Sequence, residues 1–405
     1  MSGFDLDDRT FWLASGREIK KGDTTDVYFR HTEEVLRKSG YNPRVVMEVY
    51  ARDLPYEQNW GILSGVYEVA KLLEGIPVEV RAMEEGSVFL ADGSTAIYEP
   101  LLTIEGRYLD FLWYETAILG LLSSSTSIST RAARYRQAAG RRTLLSFGTR
   151  RVHPALSALV ERACYIAGFD GVSNVLGAKL LKVAPAGTMP HALVQIVGDP
   201  EKAWRLFDKY APREAARIVL VDTFWDEKTE AIRAYETLGK KLWGIRLDTP
   251  ASRRGNFRQI VEEVRWELNI RGGKHVKIIA SGRLDEDAVA GLRDVVDGFG
   301  VGTAVAYPPV IDLSAKIVEV RGRGGMEFRA KRGGLGGRKQ VYRGRGYNDT
   351  VTLEGKAASS GEPLLKPLMK RGKIVRRYEG LEAIRARVGR ELKGLSAADP
   401  KILWR

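Results

Sequence analysis

The chain opens with a helical pattern followed by an alternating one. Residues 25–39 read as a helix that Gly40 stops, with Thr24 or Thr25 placed as an N-cap. Arg44-Val-Val-Met-Glu-Val-Tyr50 alternates with the period of a strand. Several short apolar runs lie between Pro77 and Ile104. Asp92-Gly93, between Val88-Phe89-Leu90 and Ala96-Ile97-Tyr98, reads as a hairpin turn. The first hundred residues thus predict an α+β domain with an antiparallel sheet. A helical stretch follows over 109–122, then a Ser/Thr run over 123–130, then a helix to Ala139.

After Gly140 the rhythm changes. Short apolar strands alternate with helices, the strands falling at 143–147, 171–174, 182–186, 217–222, 242–247, 276–281 and 298–302. Helical periodicity is clear at 154–167 and 255–270. Alternation of this kind predicts a parallel sheet. Seven strands with no GxGxxG after the first favour an irregular, incomplete TIM-like α/β barrel over a doubly wound sheet. A Gly/Arg-rich stretch, two weak strand signals and a helix at 379–393 suggest a small C-terminal domain. The expected division is 1–122, an α+β sandwich; 123–316, the barrel; and 317–405, the C-terminal part.

Composition narrows the class. No apolar run is long enough to span a bilayer and Met1-Ser2-Gly3-Phe4-Asp5 is no signal peptide, so a cytoplasmic protein with no membrane partner is expected. The single cysteine, Cys164, excludes an internal disulfide and a cysteine-only zinc cage. The net charge of +13 favours an anionic partner. Nine Lys/Arg, one Glu and nine glycines fall in 321–346. That segment reads either as a solvated connection or as a polyphosphate-binding or nucleic-acid-binding arm.

The chemistry concentrates at the strand ends. They read Phe147-Gly148-Thr149-Arg150, Ser173-Asn174, Gly187-Thr188-Met189-Pro190-His191, Asp222-Thr223, Arg246-Leu247-Asp248-Thr249, Ser281-Gly282-Arg283 and Gly300-Val301-Gly302-Thr303. In parallel barrels the site lies where these ends converge. Ser281-Gly282 and Gly302-Thr303 offer backbone N–H groups for a phosphate at what read as helix N-termini. Arg150 and Arg246 offer planar charge for a carboxylate or pyrophosphate. Asp222 and Asp248 suit ribose hydroxyls or a Mg²⁺ ion carried by pyrophosphate, or else helix N-caps. His191 stands out among four histidines because it follows Gly187-Thr188 at a strand end. His31, His153 and His275 read as ordinary exposed or structural residues.

At Ala186-Gly187-Thr188-Met189-Pro190-His191, Phe147-Gly148-Thr149-Arg150 and Arg246-Leu247-Asp248-Thr249 the chain resembles nicotinate phosphoribosyltransferase of the shorter archaeal type. Thr25-Asp26-Val27-Tyr28, Ser173-Asn174-Val175-Leu176 and Lys316-Ile-Val-Glu-Val320 also match. The resemblance implies a sandwich domain beside an incomplete barrel, in a homodimer or larger assembly with shared sites. It implies that Tyr28, reaching a partner's site, and Phe147 sandwich the pyridine ring, and that Arg150 faces the ring substituent and phosphates. Arg246, Asp248, Ser281, Gly282, Gly302 and Thr303 would hold phosphoribosyl pyrophosphate, with Mg²⁺ on the pyrophosphate. His191, its tautomer set by Asp222, would be phosphorylated where ATP is a co-substrate. No cysteine follows Cys164, so the zinc knuckle of some relatives is absent and no metal site made of protein alone is expected.

The transfer needs no general base, because the pyridine nitrogen is already nucleophilic. Orientation and stabilisation of the leaving pyrophosphate carry it. Quinolinate, with two carboxylates, is the rival substrate and calls for a denser cluster of cations than these strand ends show. Nicotinamide is disfavoured because Ser173 stands where nicotinamide-using relatives carry an acid. A nucleic-acid-binding protein ranks below these, since it leaves the ordered strand ends unexplained.

Overall fold

The computed structural model describes residues 10–91, 97–356, 361–396 and 398–404. These form two compact units. The first combines the chain up to Thr126 with Val310–Glu379 and Gly394 onward; the second is Ser127–Pro309 with Gly380–Lys393.

The first unit is built on a seven-stranded antiparallel sheet. Its order is Gly325–Phe328, Leu313–Gly322, Arg44–Ala51, Leu102–Arg107, Glu79–Ala82, Lys366–Lys370 and Lys373–Ile374. The strand predicted at 44–50 forms, though it is buried on both faces: Val45, Met47, Val49 and Ala51 join one core with Val69, Ala70 and Leu73 of the helix Val66–Leu73. Glu48 is buried as well, because Lys339 donates to it through both its backbone N–H and its Nζ, at 2.9 and 2.8 Å.

The expected separate C-terminal domain is therefore corrected. Its strands complete the N-terminal sheet: Leu313–Gly322 pairs with Arg44–Ala51, and Lys366–Lys370 with Glu79–Ala82. The helix Leu381–Leu395 falls almost wholly in the second unit, where Arg385 bridges to Asp170 at 3.1 Å. The basic segment is a solvated connection only in part: Arg321, Arg323, Arg329, Lys331, Arg332 and Arg345 are exposed, while its other basic residues meet acids. Arg338 binds Glu105 and Glu354, Lys339 binds Glu48, and Arg343 binds Asp349.

Three local expectations also change. The Ser/Thr run is no break, for Glu115–Ala139 is one helix of 25 residues. Two of its hydroxyls have buried partners: Thr126 Oγ1 donates to Ser64 O, and Ser129 Oγ to Ala163 O. Asp26, not Thr24 or Thr25, stands at the N-cap position of Val27–Ser39. Val88–Leu90 pairs with Trp60–Ile62 rather than with 96–98; the Asp92-Gly93 turn lies outside the described residues.

The second unit holds a six-stranded parallel sheet in the order Gly171–Val172, Thr143–Ser146, Gly298–Val301, Lys277–Ser281, Gly244–Leu247 and Ile218–Leu220. This is a half-barrel, with helices Ser157–Ile166 and Phe257–Ile270 close to the spans predicted. The strand expected at 182–186 does not form. Lys182 sits at φ 59° as the cap of Val175–Leu181, and Pro185 has no N–H to give a ladder. Among the described residues a single backbone hydrogen bond, Ala186 N–H to Val172 O at 2.8 Å, ties this stretch to the edge strand. The sheet consequently stays open between Gly171–Val172 and Ile218–Leu220.

Candidate active site

The C-terminal ends of five of the six strands line a cavity of about 930 Å³ in the second unit; the end of Ile218–Leu220 stands beside it. Of the residues predicted for the site, Phe147, Arg150, Ser173, Arg246, Asp248, Ser281, Gly282, Gly302 and Thr303 line it. Two glycines there are sterically required. A Cβ on Gly300 would lie 2.3 Å from the Phe147 ring, and one on Gly282, at φ 86°, would meet Asp248 Oδ1 at 3.0 Å.

Asp248 is the hub. Ser281 Oγ donates to its Oδ1 at 2.7 Å, Arg246 reaches its Oδ2 at 3.7 Å, and His191 Nε2 lies 3.6 Å from the same oxygen. Asp222 accepts the Asp248 backbone N–H at 2.9 Å and stands 4.0 Å from His191 Nε2. Neither aspartate is a helix cap, as the alternative reading had it. Asp226 caps Glu227–Leu238, and Asn256 caps Phe257–Ile270. Both aspartates are free for the site.

His191 and Asp222 stand beside the cavity rather than in its lining; His191 meets it through Asp248. Its other nitrogen, Nδ1, faces Thr223 Oγ1 at 3.1 Å. Asp222, expected to set the tautomer of this ring, lies on the Nε2 side. Tyr28 belongs to the first unit, 55% exposed on the helix Val27–Ser39, where its hydroxyl donates to Asp26. Ser281-Gly282 does not open a helix directly, since Glu286–Leu292 begins four residues on and is capped by Asp285.

The charges hold one another in place. Arg246 is 14% exposed and donates to Thr188 Oγ1 at 2.7 Å; burial lowers its pKa, against the pull of Asp248 and Asp222. Burial raises Asp222 to about 6. For Asp248 burial acts upward, but the attraction of the nearby His191 ring and the hydrogen bond from Ser281 outweigh it and hold the carboxyl below its ordinary value. Asp248, helped by Asp222 and opposed by burial, holds His191 above its ordinary value and favours the imidazolium.

Sequence reasoning missed several supports. Arg131, Arg151 and Arg283 line the cavity with Arg150 and Arg246, so the cation count exceeds the strand-end expectation. Arg131 comes from the long helix, where position along the chain gives no hint of it. Two buried acids brace the loops. Glu161 accepts the Asn174 N–H at 2.9 Å, beneath Ser173. Glu230 accepts the N–H groups of Thr223, Phe224 and Trp225 at 3.2, 2.8 and 3.0 Å. In sequence both look like surface acids of amphipathic helices.

A parallel half-barrel whose cavity is lined by five arginines, Asp248 and the Phe147 ring is an enzyme built to bind a polyanion beside an aromatic ring. The chain belongs to the quinolinate phosphoribosyltransferase family: residues 26–126 match the N-terminal domain model of quinolinate phosphoribosyl transferase and residues 128–316 its C-terminal domain model. It is 48% identical to the crystal structure of nicotinate-nucleotide pyrophosphorylase from Pyrococcus furiosus, with 96% of this chain and 100% of that one covered and a TM-score of 0.91. It is 29% identical over 410 residues to a nicotinate phosphoribosyltransferase of Mycobacterium tuberculosis, covering 91% of this chain and 89% of that protein. Human nicotinic acid phosphoribosyltransferase shares the fold, with a TM-score of 0.77 at 20% identity and coverage of 94% and 97%. Membership in nicotinate phosphoribosyltransferase as a family is thereby corrected, since both matching models are those of the quinolinate enzymes. The motifs that suggested it are strand ends suited to any pyridine and phosphoribosyl pyrophosphate.

Among the described residues no helix is long and apolar enough to cross a membrane, and no group of three or more His, Cys, Asp or Glu is arranged to hold a metal ion.

Proposed function

We propose that this enzyme transfers the phosphoribosyl group of phosphoribosyl pyrophosphate to nicotinate, giving nicotinate mononucleotide and pyrophosphate. The observation that carries it is the run of relatives named nicotinate phosphoribosyltransferase along most of the chain, joined to a cavity with serine at position 173. The pyridine nitrogen attacks the anomeric carbon as its bond to pyrophosphate oxygen breaks, and the electron pair leaves with pyrophosphate. Phe147 orients the ring, with Tyr28 from a partner subunit on its other side. The arginines and the backbone at Gly282 and Gly302 stabilise the departing charge.

A Mg²⁺ ion bound to the pyrophosphate fits Asp248 and Asp222, whose Oδ1 is buried without a hydrogen-bond partner. It would supply charge neutralisation. ATP enters the proposal as a co-substrate that phosphorylates His191. Because the carboxylates favour the imidazolium, acid-labile label from γ-labelled ATP should rise with pH and vanish in His191→Ala.

A second reading, quinolinate as substrate, is favoured by the matching family models and by the five arginines around the cavity. One assay separates the two: phosphoribosyl pyrophosphate with nicotinate, nicotinamide or quinolinate, with and without ATP, following nucleotide and CO₂. Nicotinate should give the highest kcat/KM. A higher value for quinolinate with CO₂ release would replace the first reading by the second.

A further inference from the structure

We infer that Thr223, held in place by Glu230, is the positioning residue that sets the orientation of the His191 ring. The His191 ring has two unlike sides. Nδ1 is 3.1 Å from the Thr223 hydroxyl, while Nε2 is 3.6 Å from Asp248 Oδ2 and 4.0 Å from Asp222 Oδ1. Turning the ring over would set a C–H against the hydroxyl and lose that contact. The hydroxyl is the partner that distinguishes the two orientations, because the carboxylates lie beyond ordinary hydrogen-bond length.

Thr223 is itself fixed. It follows the strand Ile218–Leu220, and its backbone N–H goes to Glu230 Oε2 at 3.2 Å. The other oxygen of Glu230 takes the next two N–H groups, of Phe224 and Trp225. Glu230 is fully buried in the helix Glu227–Leu238 and makes no salt bridge among the described residues. Burying a carboxylate is costly unless hydrogen bonds satisfy it. Here all three donors belong to consecutive residues of one turn, the turn that carries Thr223. Its energy is tied to the shape of that turn. Thr223 is thus to His191 what Ser281 is to Asp248, a hydroxyl that holds the charged group at one angle.

Thr223→Val keeps the shape and removes the hydroxyl; Thr223→Ser keeps the hydroxyl. With ¹⁵N-histidine label, a chain with four histidines gives few enough signals to assign His191 by comparison with His191→Gln. The wild type and Thr223→Ser should show one ring environment with Nδ1 hydrogen-bonded. Thr223→Val should lose that signature, and its kcat with nicotinate should fall about tenfold, the worth of one such bond, with KM within about twofold. Thr223→Ser should recover kcat. Glu230→Gln, which keeps one acceptor oxygen, should fall between. Unchanged ring signals and kcat in Thr223→Val would overturn the inference, as would a Thr223→Ser protein as impaired as Thr223→Val. The kinetic arm rests on the transferase reading. A wild type that makes no nucleotide sinks that reading, while the nitrogen signals still decide whether Thr223 orients His191.

Discussion

Replacing Gly300 by alanine tests the aromatic wall without removing it. Gly300 lies in the strand Gly298–Val301 with no left-handed backbone, so alanine brings no backbone strain. Its new methyl would stand 2.3 Å from Phe147 Cε2 and 2.5 Å from Cδ2, with Ser281 Cβ at 3.2 Å on another side. Carbons in contact sit about 3.5–4.0 Å apart, so the ring must retreat by on the order of 1 Å. Phe147 cannot slide as a whole, because its N–H is bonded to Val301 O at 2.9 Å; the ring must swing about its side-chain torsions. Overpacking of this kind costs about 1–3 kcal/mol of stability. A shift of ~1 Å in a group that orients the nucleophile can cost about a hundredfold in rate. The expected result is a fall of about 10- to 100-fold in kcat/KM for nicotinate, with the KM for phosphoribosyl pyrophosphate changed no more than a few-fold. Steady-state kinetics and a thermal melt together read it. A lower Tm with nicotinate kinetics like the wild type would show that the ring moved without consequence, and Phe147 would lose its place in the pyridine site.

Asp248→Asn should lower kcat/KM about a hundredfold or more, since it weakens the contacts of Ser281, Arg246 and His191 at once; a tenfold effect or less would demote Asp248 to a structural role. Burial, joined by the nearby Asp26 charge, holds Glu115 at about 7, above its ordinary 4.5. The folded chain keeps a proton that the unfolded chain has released, so stability falls as pH rises from about 4.5 to about 7 and then levels. Glu115→Gln should remove that slope and be the more stable form at pH 8 by on the order of 2 kcal/mol; parallel urea curves at pH 5 and 8 check it. Arg343→Leu should cost about 3–5 kcal/mol in denaturant titrations, because it leaves the fully buried Asp349 and Glu99 without their cation. Mixed Tyr28→Ala and Asp248→Ala chains should recover part of the lost activity if sites are shared between subunits, and verified hybrids with none would argue for sites complete within one chain.

The strand ends were legible in the sequence because they are local. A short apolar run ending in Gly, Ser, Asp or Arg identifies both the strand and the end that faces a ligand, and six of the seven expected strands formed. The Phe147, Arg246, Asp248 and Ser281 cluster could be anticipated in the same way, for these residues stand at the ends of three strands. What needed the tertiary structure was every relation set by distant pairing. The C-terminal strands join the N-terminal sheet through long-range hydrogen bonds that leave no periodic trace, and their basic residues meet the buried acids Glu48 and Asp349 and the half-buried Glu105. Whether 182–186 would pair depended on an edge partner that Pro185 and Lys182 together deny it. Glu161 and Glu230 have the spacing of solvent-facing helix acids, and only the loops folded over them reveal that their carboxylates are buried and bound to backbone N–H groups. Hydrophobic period reports which face of an element is apolar; it cannot report which polar groups meet once the faces are packed, and that meeting is what builds this site.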